Sequence, residues 1–199
     1  MNEYDECVNE LYKDLCSYKG QPLELREYLR ANMSVKDLLE RDVLFRKKRP
    51  ITDALYVGRG FVATYGSSVL GDNQVLSIAK KHAILADFSF TAQEPSDYDL
   101  VGLAGSYVLG ISFEHMQIIY DRFPSTQDLS RLIMADTNRK ELERVRLLTR
   151  DAEKVVYDFY MEFPEFLPAG GLMIDADIAS YVLIGESTLR NVRAKLFKP

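Results

Sequence analysis

Cysteine and histidine are almost missing from this 199-residue chain, which holds two of each: Cys7, Cys16, His82 and His115. Two cysteines fall short of a disulfide framework or a zinc site. Cys7 and Cys16 are read as inert, buried thiols that line a helix. A cupin-like metal site needs two or three histidines and a carboxylate converging on one point. His82 precedes an expected strand and His115 lies inside an expected helix, so convergence is not expected; haem ligation by His82 is the alternative. Neither a metal nor a cofactor is expected. Also missing is any apolar run near the roughly 20 residues that cross a bilayer. The acidic start Met1-Asn-Glu-Tyr-Asp-Glu-Cys lacks the basic residues and apolar stretch of a signal peptide, so the expected location is cytoplasmic, with no membrane partner. No Cys/His dyad, nucleophile elbow or glycine-rich phosphate loop is present, and Ala169-Gly-Gly reads as linker. The chain is not expected to be an enzyme.

What is present is ordinary for a globular protein: 47% hydrophobic residues, 28% charged residues and a formal net charge of −5. Helical spacing runs over Glu3 to Tyr18, Pro22 to Leu29 and Ser34 to Arg41, with Ser34 as the expected N-cap of the third. From Asp42 the texture changes to short apolar runs, namely Val43-Leu-Phe, Ala54-Leu-Tyr-Val, Phe61-Val-Ala-Thr-Tyr, Gln74-Val-Leu-Ser-Ile-Ala and Tyr107-Val-Leu-Gly-Ile. Turn signals at Gly58-Arg-Gly and Gly71-Asp-Asn separate them, a texture that predicts a β-roll or jelly roll. The basic run Arg46-Lys47-Lys48-Arg49, before Pro50, reads as a solvated turn. Helical spacing returns over Phe113 to Phe123 and stops at Pro124. Ser125 then caps a long helix to about Thr149, with Leu129, Leu132, Ile133, Leu142, Val145 and Leu148 as an apolar stripe that Asp136 and Arg139 interrupt.

The most specific pattern lies near the C-terminus. Asp175-Ala-Asp-Ile-Ala-Ser-Tyr-Val-Leu predicts a short helix with Ile178, Tyr181 and Val182 on one buried face and Asp175 as N-cap. Ile184-Gly185-Glu186 is a break of turn length. Ser187 to Leu196 predicts a second helix with Leu189, Val192 and Leu196 inward. Ser187, Thr188, Arg190, Asn191, Arg193 and Lys195 occupy the other side, and these are side chains suited to bases and phosphates. The net charge of −5 opposes nonspecific DNA affinity. Locally, however, Arg190, Arg193, Lys195 and Lys198 outweigh the single acidic residue Glu186.

Around that segment the sequence resembles the Crp/Fnr family of bacterial transcription regulators, in its short Bacteroidetes-type form. The resemblance rests on Ile178-Ala-Ser-Tyr-Val-Leu-Ile-Gly-Glu-Ser-Thr-Leu-Arg-Asn-Val-Arg193. Upstream, Leu147-Leu-Thr149, Ala152-Glu153 and Phe163-Pro-Glu-Phe-Leu167 resemble the family's hinge and first DNA-domain helix. Tyr56-Val57 with Gly60, and Phe90 with Gln93 and Pro95-Ser96, resemble its sensor domain. The resemblance implies an α+β fold in three parts. Residues 1–124 would form a cyclic-nucleotide-binding-like β-roll sensor with N-terminal helices. Residues 125–150 would form a connecting and dimerisation helix, and residues 151–199 a helix-turn-helix (winged-helix-like) domain.

The same resemblance implies a homodimer on double-stranded DNA with a two-fold symmetric operator, with RNA polymerase as a further partner. Ser187, Thr188 and Asn191 would face base edges, while Arg190, Arg193 and Lys195 would position the phosphate backbone. Leu183 stands at the family's turn glycine, so the chain either turns there without that freedom or uses Gly185. Ser187 stands where the family commonly has Glu, and Asn191 where it has Arg, which implies a different operator. An oxygen-sensing iron–sulfur cluster, held by four cysteines in the family, is excluded. The family's cyclic-nucleotide pocket grips phosphate with an Arg beside a Ser or Thr and the ribose with a Glu. The matching stretch Ile84 to Asp99 has no Arg or Lys: Ser96 takes the Arg position, Asp97 and Asp99 follow, and Ala86 or Asp87 takes the Glu position. No response to cyclic AMP is expected, and the effector is left open. The alternative is a β-roll protein-interaction module with a helix-turn-helix that no longer binds DNA.

Overall fold

A computed structural model describes residues 2–67, 73–167 and 170–197. The chain forms helices α1 (Glu3–Tyr18) and α2 (Leu23–Asn32), then strands β1 (Ser34–Leu38), β2 (Asp42–Phe45), β3 (Asp53–Arg59), β4 (Phe61–Ser67), β5 (Asn73–Lys80) and β6 (Ile84–Leu85). Helix α3 (Phe88–Ala92), strands β7 (Asp99–Gly102) and β8 (Ser106–Ser112) and helix α4 (Phe113–Arg122) follow. The rest is helical: α5 (Ser125–Leu148), α6 (Ala152–Glu162), a single 3-10 turn at Pro164–Phe166, α7 (Asp175–Tyr181) and α8 (Glu186–Leu196). The first two residues of the turn expected at Gly71-Asp-Asn and the first residue of the Ala169-Gly-Gly linker lie outside the described residues, as do Lys198 and Pro199, while Asn73 already opens β5.

Two four-stranded sheets form, in the orders β1-β8-β3-β6 and β2-β7-β4-β5. Strand β3 is deeply buried, with Ala54, Leu55, Tyr56 and Val57 all at most 4% exposed. Both its faces are covered, and so its sequence is a continuous apolar run rather than an alternation. On one side stand α1, which contributes Cys7, Val8, Leu11 and Leu15, and α2, which contributes Leu25 and Leu29. Gly58 sits at a register shift in the pairing of β3 with β8, and a Cβ there would lie 2.2 Å from the Cys7 sulfur. Gly60 supplies the positive φ of +74° between β3 and β4. Burial pushes the Cys7 thiol up to about 12, so it is inert at neutral pH, while Cys16 is only half-buried.

Ser34 does not cap a helix. Residues Ser34 to Leu38 pair antiparallel with Gly110 to Ser106 as an edge strand. Val35, Leu38 and Leu39 have helical spacing, but only Leu38 among the five strand residues is buried, so no alternation betrays the strand. Ser125 is the first residue of α5, and its hydroxyl donates to Gln21 Oε1 at 3.1 Å.

The chain divides into two compact units, Met1–Thr64 with Ile78–Asp136, and Tyr65–Ser77 with Thr137–Pro199. The second is built on aromatic packing. Phe159 of α6 lies with its ring centroid 5.1 to 5.8 Å from Tyr160, Phe163, Phe166 and Tyr181. Asp151 caps α6 by accepting from the Lys154 amide at 3.0 Å. Met173, Ile178, Ala179, Val182 and Leu189 complete this core, each at most 3% exposed.

Candidate nucleic-acid interface

Helices α7 and α8 enclose a turn of four residues, Val182 to Gly185. Its pivot is Leu183, with φ of +56°, whereas Gly185 has φ of −69°. The left-handed residue is therefore the leucine, and Gly185 is instead the N-cap of α8. A non-glycine residue in that region costs roughly 1–2 kcal/mol. Leu183 is 58% exposed and has little packing to lose. Leu183→Gly is therefore expected to stabilise the protein by about 0.5–1 kcal/mol after the extra chain entropy of glycine is subtracted. Urea denaturation followed by circular dichroism measures it, and a loss of stability would refute the strain.

Helix α8 buries Leu189 completely and presents Ser187, Thr188, Asn191 and Lys195 to solvent. Positions 188, 191 and 195 stack along one face, with 187 one turn before 191. Ser187, Thr188 and Asn191 make no side-chain hydrogen bond to another described residue. This leaves three short polar groups together on an open helix face.

The cations beside them are engaged within the chain. Arg193 is turned inward, 14% exposed, and grips Asp175 with both terminal nitrogens, one of them at 2.9 Å from Oδ2, while also donating to Tyr160 Oη at 2.9 Å. Arg190 reaches Asp175 Oδ2 at 3.0 Å and also pairs with Glu186. Lys195 donates to Glu153 at 2.6 Å. Asp175 therefore does not cap α7: Ile174 is the N-cap residue, and the carboxylate is held between two guanidinium groups. Hydrogen bonding from Arg193 and then Arg190 lowers the Asp175 pKa against the opposing effect of burial.

Strands β4 and β5 add a second contact to the same helix pair. The Tyr65 hydroxyl donates to Asp177 Oδ2 at 2.8 Å, and the Val75 amide donates to Ser180 Oγ at 3.0 Å. Neither contact is visible in the sequence, because each joins residues more than a hundred positions apart.

In the other unit, the stretch Ile84 to Asp99 forms β6 and α3. Asp87 caps α3 by accepting from the Phe90 amide at 2.9 Å, and burial raises its pKa. Ser96 is 3% exposed and its hydroxyl is spent on Tyr98, donating to the carbonyl oxygen at 2.9 Å. The Lys48 amide donates to the Ser96 carbonyl at 2.7 Å, while the Arg46 to Arg49 side chains stay exposed. The histidines stand apart: His115 Nδ1 is 2.9 Å from Tyr28 Oη, and His82 Nδ1 is 2.8 Å from Asp14. Among the described residues no three His, Cys, Asp or Glu side chains gather in a metal-binding group.

Along α5, Leu129 is buried at 4%, whereas Leu132, Leu142 and Val145 are 42%, 56% and 46% exposed. Among the described residues no helix is long and apolar enough to cross a membrane.

No protein-family model matches this sequence, and no curated protein does either. Solved structures do match. FixK2 from Bradyrhizobium japonicum superposes with a TM-score of 0.65 at 16% identity, over 82% of this chain and 84% of that one. CLP, a c-di-GMP responsive global regulator of Xanthomonas campestris, gives 0.63 at 17% identity over 88% and 91%. A protein of Eubacterium rectale described as a transcriptional regulator of the Crp/Fnr family gives 0.67 at 14% identity over 87% and 82%. With two antiparallel sheets, a 24-residue helix α5 and the α7–turn–α8 pair all in place, the chain has the fold of Crp/Fnr-type regulators, a cyclic-nucleotide-binding-like β-roll and a helix-turn-helix in one α+β polypeptide.

Proposed function

We propose that this chain is a cytoplasmic DNA-binding transcription regulator of the Crp/Fnr type that acts as a homodimer. The observation that carries the reading is the open face of α8, where Ser187, Thr188 and Asn191 are exposed and, among the described residues, unpaired above a fully buried Leu189. Unpaired donors and acceptors on a solvent-facing helix after a tight turn are what major-groove readout requires. Asn191 offers the bidentate amide that matches adenine. Asn191→Ala should relax base preference at one position of each half-site, costing about 1–3 kcal/mol of discrimination there, as measured by selection from a randomised operator library.

Arg190 and Lys195, 60% and 67% exposed, reach phosphates by exchanging their carboxylate partners for the DNA backbone. Arg193 contributes differently, since its inward grip on Asp175 and Tyr160 sets the position of α8. Its loss would weaken all DNA sequences alike, and the protein fold with them. Because each exchange gives up an ion pair within the chain, the affinity is weak and falls steeply with salt. RNA polymerase is a further partner in this reading.

The exposed stripe Leu132, Leu142 and Val145 on α5 is the surface a second copy covers, which pairs two reading heads on one duplex face about 34 Å apart. The β-roll does not respond to cyclic AMP. Ser96 is buried and spent on its own loop, and Asp97 and Asp99 follow it. Titration calorimetry with cyclic AMP is expected to show no saturable heat.

The test of the whole reading is retention of fragmented genomic DNA by the purified protein at low and physiological salt, followed by sequencing. Enrichment of a two-fold symmetric site at both salts is expected. Retention without preference that vanishes with salt leaves only a basic surface. No retention by a folded dimer favours the protein-interaction module.

A further inference from the structure

We propose that the sensor unit binds a small uncharged apolar molecule, of the size of benzene or a substituted benzene, in a cavity distinct in chemistry from a nucleotide site. The cavity has a volume of about 140 Å³ and lies among α1, α2, β3, β8, α4 and the first turns of α5. Leu15, Leu29, Phe90, Ile119 and Leu129 form much of its wall, and no residue on the wall carries a charge. An apolar cavity of about 150 Å³ lined by Leu, Ile and Phe takes up benzene, so the dimensions and the lining agree.

The polar atoms of the wall narrow the ligand class further. Five wall residues carry hydroxyls, and each is already bonded within the protein. Tyr56 Oη donates to Asp14 at 2.6 Å, Thr91 to the Asp87 carbonyl at 2.8 Å, and Thr126 to the Phe123 carbonyl at 2.6 Å. Tyr120 Oη and Ser130 Oγ lie 2.8 Å apart, and Ser130 also donates to the Thr126 carbonyl at 3.1 Å. A ligand with phosphate, ribose or amide groups would lose its water there and gain neither a cation nor an uncommitted hydroxyl donor. A hydrocarbon or simple arene loses nothing.

Three of the chain's six methionines, Met33, Met116 and Met134, line the same cavity. Their unbranched, polarisable side chains adapt to a guest and contact aromatic rings favourably. Met134 lines the cavity while remaining 57% exposed. The proposal does not depend on DNA binding, and its test reads only the sensor unit.

The experiment is a benzene titration of the full-length protein carrying 13C-methyl methionine, followed by NMR. Benzene is expected to shift the Met116 methyl signal saturably while leaving those of Met161 and Met173, which belong to the other unit, in place. Cyclic AMP at equal concentration is expected to move none of them. Ala86→Leu places bulk in the cavity and should weaken benzene at least tenfold. Should that variant fail to fold, Leu129→Ala enlarges the cavity and should tighten naphthalene at least fivefold over the unsubstituted protein. Three results each overturn the proposal: a Met116 signal unmoved up to the solubility limit of benzene, a Met161 signal that moves in parallel with it, or displacement of benzene by cyclic AMP.

Discussion

Asp175→Ala is expected to destabilise the helix-turn-helix unit by about 3 kcal/mol, the largest effect of any single substitution of a charged residue in this chain. Asp175 and Arg193 are only 13% and 14% exposed, and the carboxylate answers two guanidinium groups at once. Removing it leaves Arg193 in a largely desolvated position with Tyr160 Oη as its remaining partner. The loss is measured by urea denaturation of the wild type, Asp175→Ala, Arg193→Ala and the double variant. The cycle should return a coupling above about 1 kcal/mol. A single-variant loss under about 0.5 kcal/mol, the size of an exposed pair, would refute the arrangement.

The same pair predicts acid sensitivity. The folded-state pKa of Asp175 lies below its ordinary value, so the unfolded chain takes up the proton first as pH falls. The stabilisation is therefore complete above the unfolded carboxylate value of about 3.9 and is lost as pH drops below it through the folded value. Stability measured between pH 7 and pH 5 should be unaffected by this group, and the acid-limb decline should be shallower in Asp175→Asn than in the wild type.

The second large effect concerns assembly. Replacing Leu142 and Val145 together by Glu should leave the folded monomer intact, since both side chains are about half exposed. In a dimer paired along α5 the substitution sets four carboxylates into an apolar seam. Analytical ultracentrifugation is expected to show monomers, and affinity for a two-fold operator should fall at least ~100-fold because each half-site is then held alone. A double variant that remains a dimer would move the dimer surface away from this helix.

Much of the fold is legible in the sequence wherever a pattern is local. The spacing of Cys7, Val8, Leu11 and Leu15 predicts α1, and the short apolar run Ala54 to Val57 predicts a strand, which the structure buries on both faces. Leu189 set among Ser187, Thr188, Arg190 and Asn191 predicts α8 with its inward and outward sides. The pattern misleads at Ser34 to Leu38, where an edge strand exposes four of five residues and leaves helical spacing as the stronger signal. Strand β6 is two residues long and β7 four, both too short to show a period.

Local sequence therefore determined most of the element types, the absence of Arg and Lys from Ile84 to Asp99 and the polar face of the last helix, because those depend on neighbours within a turn or a pleat. Only the tertiary structure decided what the charges do. The aspartate that reads as an N-cap at 175 is drawn away by Arg190 and Arg193, fifteen and eighteen residues on, and Tyr65 and Val75 reach α7 from across the chain. An ion pair with a largely covered guanidinium outweighs a cap that water can replace, and that comparison exists only once the helices are packed.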